Sequence, residues 1–240
     1  AIRCAHQTGA SPDAAGDPTY LNEDSLAFEF DETTLFRPNK LPGYDVYEDG
    51  ARLNGAGRGS ILWGDGRRAR VLVGRSFPTK PNDVFNPRSG LRGKSSDWIV
   101  SASAVPIRGF SAFTRARLDS DNLSVHRLEA GVDVYNRFGS GYVRYLTDDF
   151  DVNLLPVGAK RENLDVGGEI YIGKHWGVTA AGSRDITQGA WVIRDIGAFY
   201  RDDCVRMDVI YRREDSVLWR LCARDQISGR LTLGTLGAAL

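Results

Sequence analysis

The chain is expected to be all-β, an antiparallel transmembrane β-barrel segment of about eleven strands, and three observations predict it. From Ala51 onward, apolar and polar residues alternate with a period of two, and turn residues interrupt the pattern. The alternating runs reach roughly ten residues or more, against five or six in ordinary globular sheets, which is the length a tilted strand needs to cross a bilayer. The connections are mostly short on one edge and mostly longer on the other, as periplasmic turns and exterior loops are in outer-membrane barrels.

Residues 1–19 (AIRCAHQTGASPDAAGDPT) are small, polar and broken by Pro12 and Pro18, and read as a flexible lead-in. They lack the apolar core of a signal peptide, so the chain is expected to be a mature product or part of a longer one. Cys4 and His6 have no second ligand pair and make a poor metal site. Residues 20–50 are expected to form a long loop on the exterior side. The stretch Tyr20–Asn54 carries Phe28, Phe30, Leu35, Phe36, Tyr44 and Tyr47 among eight acids. A loop of this length with its own apolar residues is functional or packs on something large. Its apolar residues are expected to fold over a barrel mouth.

Strands are expected at about 51–63, 68–77, 97–106, 109–119, 123–136, 140–148, 163–173, 175–185, 190–201, 203–213 and 226–236. Leu164, Val166, Gly168, Ile170 and Ile172 share one face, with Asp165 and Glu169 on the other. Val205, Met207, Val209 and Tyr211 oppose Arg206, Asp208 and Arg212, and in the last strand Ile227, Gly229, Leu231, Leu233 and Thr235 oppose Ser228, Arg230 and Thr232. Short turns fall at 64–67, 107–109, 137–140, 173–175 and 201–203. The long connections 78–96, 150–162 and 214–225 lie on the other edge, with short ones at 120–122 and 186–189. Trp63 and Trp176 flank short turns while Trp98 and Trp191 open strands at the long-loop edge, where interfacial girdles belong. An odd number of strands leaves unpaired edges in lipid, so the segment is expected to belong to a larger barrel and not to fold alone.

Composition narrows the function. Lysine plus arginine and aspartate plus glutamate are equal at 31, with the cations scattered, so nucleic acid is not an expected partner. Three cysteines are too few for a disulfide scaffold. Gly55-Ala-Gly57-Arg-Gly59 leads to no helix and is read as strand glycines rather than a phosphate loop. Ser140 sits in a glycine turn without a nucleophile elbow, and His6, His126 and His175 pair with no obvious serine and acid. The pairs Asp148-Asp149 and Asp202-Asp203 read as solvated charges at strand ends, with calcium or lipid-phosphate bridging as the alternative for the exterior pair. No catalytic activity, cofactor or metal is expected.

The segments NEDS (22–25), TLF (34–36), LPGYD (41–45), EDGARLN (48–54), FNPRSGLRGKSSDW (85–98), LDSDNL (118–123), ENLDVGGEI (162–170) and FYRDDCVRMDVIYRRE (199–214) together resemble the C-terminal barrel domain of the LptD family. These are lipopolysaccharide-assembly proteins of the Gram-negative outer membrane, and the resemblance spans roughly residues 20–236. It implies that residues 20–240 are the C-terminal portion of a barrel of about twenty-six strands. It also implies a translocon that inserts lipopolysaccharide into the outer leaflet, an LptE-like plug lipoprotein in the lumen, and periplasmic bridge proteins reached through an N-terminal domain. By the same resemblance Cys204 is oxidised to a periplasmic-domain cysteine outside this chain, and the last strand, with Ile227, Gly229, Leu231 and Leu233, borders the lateral exit. Cys222 has no counterpart there, Asp203 replaces the first cysteine of a pair, and the terminal aromatic common in barrels is missing. A porin-like passive diffusion channel and a soluble β-sandwich binding module are the alternatives.

Overall fold

The computed structural model describes residues 30–40, 50–81, 85, 89–149, 160–215 and 224–233. Its regular elements are strands: β1 (Arg52–Leu62), β2 (Arg68–Pro78), β3 (Trp98–Ile107), β4 (Phe110–Leu118), β5 (Val125–Asn136), β6 (Gly139–Asp148), β7 (Arg161–Ile172), β8 (Trp176–Asp185), β9 (Ala190–Arg201), β10 (Val205–Glu214) and β11 (Arg224–Leu233). All eleven expected strands are present, with ends shifted by a few residues. They form a single sheet in sequence order, β1 to β11. The described residues contain no second sheet. β1 and β11 each pair on one side only, so these residues form an open sheet.

Local chemistry explains the tight turns. Asp65 Oδ1 accepts from the Arg67 amide at 3.2 Å, and Gly66 takes the φ of +87° that closes the β1–β2 hairpin. Asp119 Oδ1 accepts from the amides of Asp121 and Asn122, and Asn122 Oδ1 from Ser124, which orders the β4–β5 connection around Leu123. Ser140 lies on β6 itself, and the turn before it is confined to 137–138.

The chain divides into two compact units. One takes the described residues within 1–104, 113–129 and 147–160, and the other those within 105–112, 130–146 and 161–240. In the second, the period-two alternation is realised with inverted polarity. Ile170, Ile196 and Val209 are 62%, 62% and 58% exposed, whereas Asp208 on the opposite face is 7% exposed. Registers bring Met207 opposite Leu231, Val209 opposite Gly229, Tyr211 opposite Ile227 and Tyr211 opposite Ile196, so one face carries an apolar band, with Arg194, Arg213 and Asp225 at its edge. Arg206 donates to Asp208 at 2.9 Å and Glu169 at 2.9 Å on the other, while Arg212 grips Asp195 through two bonds of 2.8 and 2.7 Å. Phe199 fills the space above Gly177, where an added Cβ would lie 2.2 Å from the ring. Trp176 and Tyr200 meet edge-on at 5.2 Å beside the short turns, as an aromatic girdle requires.

Candidate functional site

In the first unit part of the sheet's polar face is covered by residues 30–40, here termed the strap. Asp31 starts it like a helix cap: its Oδ1 accepts from the amides of Thr33 and Thr34 at 2.8 and 3.0 Å, and Thr34 Oγ1 accepts from the Asp31 amide at 2.9 Å. This reciprocal lock folds 31–36 into one turn that presents Phe30 and Leu35 to the sheet. They join Phe85, Leu91 and Ile99 in the unit's buried apolar cluster, with Phe36 and Ala56 at its margin. Gly74 makes the seating possible, because a Cβ there would come within 2.4 Å of Leu35 Cδ2.

Two cations hold the strap's far end. Lys40 is 1% exposed; its Nζ donates to the Leu35 carbonyl at 3.0 Å and lies 5.6 Å from the centroid of the Phe30 ring. Arg52 on β1 donates to the carbonyls of Arg37 and Pro38. Burial, reinforced by the Arg52 charge, pulls the Lys40 ammonium down to about 7. A folded value below the ordinary one means that docking releases protons between about 7 and 10.5, so docking strengthens as pH rises through that window. Below about 7 the full cost of burying the cation is present. A nitroxide on Arg37→Cys, with the native cysteines replaced by serine, is expected to be less mobile at pH 9 than at pH 6. Lys40→Met removes this dependence, and a spectrum unchanged with pH contradicts it.

Beside the strap lies a charged knot. Arg117 is 3% exposed, with Nε 3.5 Å from Asp97, NH2 3.5 Å from Asp149 and 3.9 Å from Asp148, and NH1 3.3 Å from the Ser89 carbonyl. His126 Nδ1 lies 2.7 Å from Asp97, and its Nε2 3.6 Å from Asp119 and 3.9 Å from Asp149. The ligand atoms of Asp97, Asp119 and His126 fall within 4.8 Å of one another, close enough to hold a metal ion. Arg117 and Arg127 already supply positive charge to the surrounding acids. Burial raises the Asp149 carboxyl, and backbone amides lower that of Asp119. Reading Asp148 and Asp149 as solvated loop charges is therefore corrected: Asp148 is 9% exposed and also binds Arg127.

The remaining site residues are placed as follows. Cys204 carries a free, exposed thiol. Strand β10 begins at Val205 rather than 203, because Asp202 Oδ1 accepts from the amides of Cys204 and Val205 at 2.9 and 2.8 Å and keeps the cysteine in the turn. Those bonds hold the Asp202 carboxyl below its usual value. Ile227, Gly229, Leu231 and Leu233 lie on β11, with Ile227, Leu231 and Leu233 exposed on the same face as Met207 and Val209. Cys4, Cys222, Thr235 and the lead-in 1–19 fall outside the described residues, as do residues 20–29 and 41–49 of the long loop. Lys40, Arg52, Arg117 and His126 escape sequence reading, since isolated charges in or beside loops carry no pattern that marks them as buried.

An antiparallel sheet that turns aliphatic side chains outward and shelters charged ones has the surface chemistry of a wall between an apolar medium and water. The family model described as LptD, LPS transport system D, matches residues 9–176. The chain belongs to that family, whose work is lipopolysaccharide transport. The match takes in the strap, the charged knot and the strands as far as the start of β8, and Cys204 and β11 lie beyond it. A comparison with curated proteins found no match.

Proposed function

We propose that this chain is the C-terminal portion of an integral outer-membrane β-barrel that inserts lipopolysaccharide into the outer leaflet. The observation that carries the reading is the inverted polarity of the strands, set beside the family match. In this role the apolar face meets lipid and the face bearing Glu169, Arg206 and Asp208 lines a wet lumen. β11 borders the lateral exit through Ile227, Gly229, Leu231 and Leu233, and an LptE-like lipoprotein plugs the lumen. Periplasmic bridge proteins deliver the lipid through an N-terminal domain, and Cys204 is oxidised to a cysteine outside this chain. The role is transport and includes no catalytic step. The strap's seat on the polar face argues against a permanently open diffusion channel.

Depletion of the full-length protein from its host is expected to keep newly made lipopolysaccharide off the cell surface. Unchanged delivery, with ion conductance by the purified protein, overturns the reading in favour of a passive channel. Within the strap, deletion of residues 28–47 is expected to impair export, and unimpaired export removes the strap from the mechanism.

A further inference from the structure

Next to the strap, a cavity of about 320 Å³ opens between β1, β2, β3 and β4, and its lining includes Arg58, Arg70, Arg115, Ser101, Ser103 and Glu32. Three of these are guanidinium groups. On β1 and β2, Arg58 is registered with Leu72 and Ser60 with Arg70, so the two arginines are diagonal neighbours on one face, about 7–8 Å apart. Among the described residues no ion pair neutralises either one. Both side chains are exposed, so water screens their repulsion, and an anion between them gains charge-assisted hydrogen bonds from each. The hydroxyls of Ser101 and Ser103 add neutral donors and acceptors of the kind that saccharides use.

The third arginine is occupied. Arg115 Nε donates to Glu32 Oε1 of the strap at 2.7 Å, and its NH1 lies 3.5 Å from Glu129. Glu32 is a poor fit for this position: its second oxygen, Oε2, is buried and accepts no hydrogen bond. A buried acceptor left unsatisfied weakens the arrangement that holds it. The strap therefore inserts its own carboxylate at the margin of a cationic cavity, and does so imperfectly.

We infer that Arg58, Arg70 and Arg115 form a binding site for a phosphate group, carried on a saccharide, and that Glu32 is its built-in competitor. This rests on the lipopolysaccharide reading for the identity of the ligand, and on the cavity alone for its charge. The phosphate bridges Arg58 and Arg70 and then displaces Glu32 from Arg115. Occupation of the site and loosening of the strap's Glu32 end are thus the same event.

The test is calorimetric titration of the full-length protein in detergent at low salt, using glucose 1-phosphate, inorganic phosphate and glucose. Glucose 1-phosphate is expected to bind, glucose not to bind, and inorganic phosphate to bind more weakly because it forgoes the serine contacts. Inorganic phosphate binding as tightly as the sugar phosphate overturns the saccharide part of the assignment. Arg58→Gln with Arg70→Gln is expected to weaken binding about tenfold or more, the loss of at least one charge-assisted hydrogen bond. Glu32→Gln is expected to tighten it about threefold by freeing Arg115. Arg194→Gln, which removes an exposed pairing with Asp215 in the other unit, serves as the folding and charge control. Equal affinity in the wild type and the double variant, or no gain in Glu32→Gln, overturns the site. If binding fails while surface delivery of lipopolysaccharide persists, the site is wrong and the transport role stands. If binding holds while delivery is unaffected by depletion, the site stands and its ligand is not lipopolysaccharide.

Discussion

Ile196→Arg is expected to destabilise the assembled protein by about 2–4 kcal/mol in phospholipid vesicles, as measured by denaturant titration. Ile196 lies near the middle of β9, is 62% exposed, and faces the same side as its cross-strand partners Ala180 and Tyr211. In an aqueous setting an exposed isoleucine is a tolerant site, and a charge there changes stability by about 0.5 kcal/mol or less. In hydrocarbon the same guanidinium loses its hydration and finds no partner on an apolar face. The two environments thus predict effects of different size for one substitution. A change within about 0.5 kcal/mol in vesicles contradicts the assignment of this face to lipid.

Arg117→Met is expected to cost about 3–5 kcal/mol, because it strands buried carboxylates rather than trimming a surface pair. Asp97, Asp148 and Asp149 all lie within 4.0 Å of the Arg117 guanidinium, which is itself 3% exposed. Removing the cation leaves Arg127 and His126 to serve the same acids. Adding Asp97→Asn and Asp149→Asn to Arg117→Met is expected to recover a large part of the loss, since amides tolerate burial without a counter-charge. If the single variant unfolds at the wild-type denaturant concentration, the knot is not a stabilising element. If the triple variant is no better than the single one, uncompensated charge is not the cause.

The strands were legible because alternation with period two is a direct imprint of a sheet whose two faces meet different surroundings. Met207, Val209 and Tyr211 against Arg206, Asp208 and Arg212 illustrate this, and the structure places these two sets on opposite faces. The strap was legible only in part. Phe30, Leu35 and Phe36 stood out as apolar residues in a polar loop, but nothing local to them indicates that they dock on the polar side of β2 over Gly74. Lys40 was not legible, because a lysine in a loop is ordinarily solvated and its burial depends on Phe30 and Leu35 arriving first. His126 was invisible for a related reason: its partners Asp97, Asp119 and Asp149 are distant in sequence and meet only when β3, β4, β5 and β6 align. Pattern reveals periodic elements, and contacts made across the sheet carry no period.

The neighbour-to-neighbour order of the strands has a kinetic consequence. Every pairing from β1 to β11 joins segments adjacent in the chain, so relative contact order is low for so large a sheet. Loop-closure entropy grows only logarithmically with loop length, and the hairpins closed by 108–109, 137–138, 173–175 and 202–204 bear the least of it. Those hairpins are the natural nuclei, and the sheet can then zip outward by adding one strand at a time to an existing edge. The steps spanning 79–97 and 149–160 are the slow ones, where a half-built sheet waits longest with an unsatisfied border.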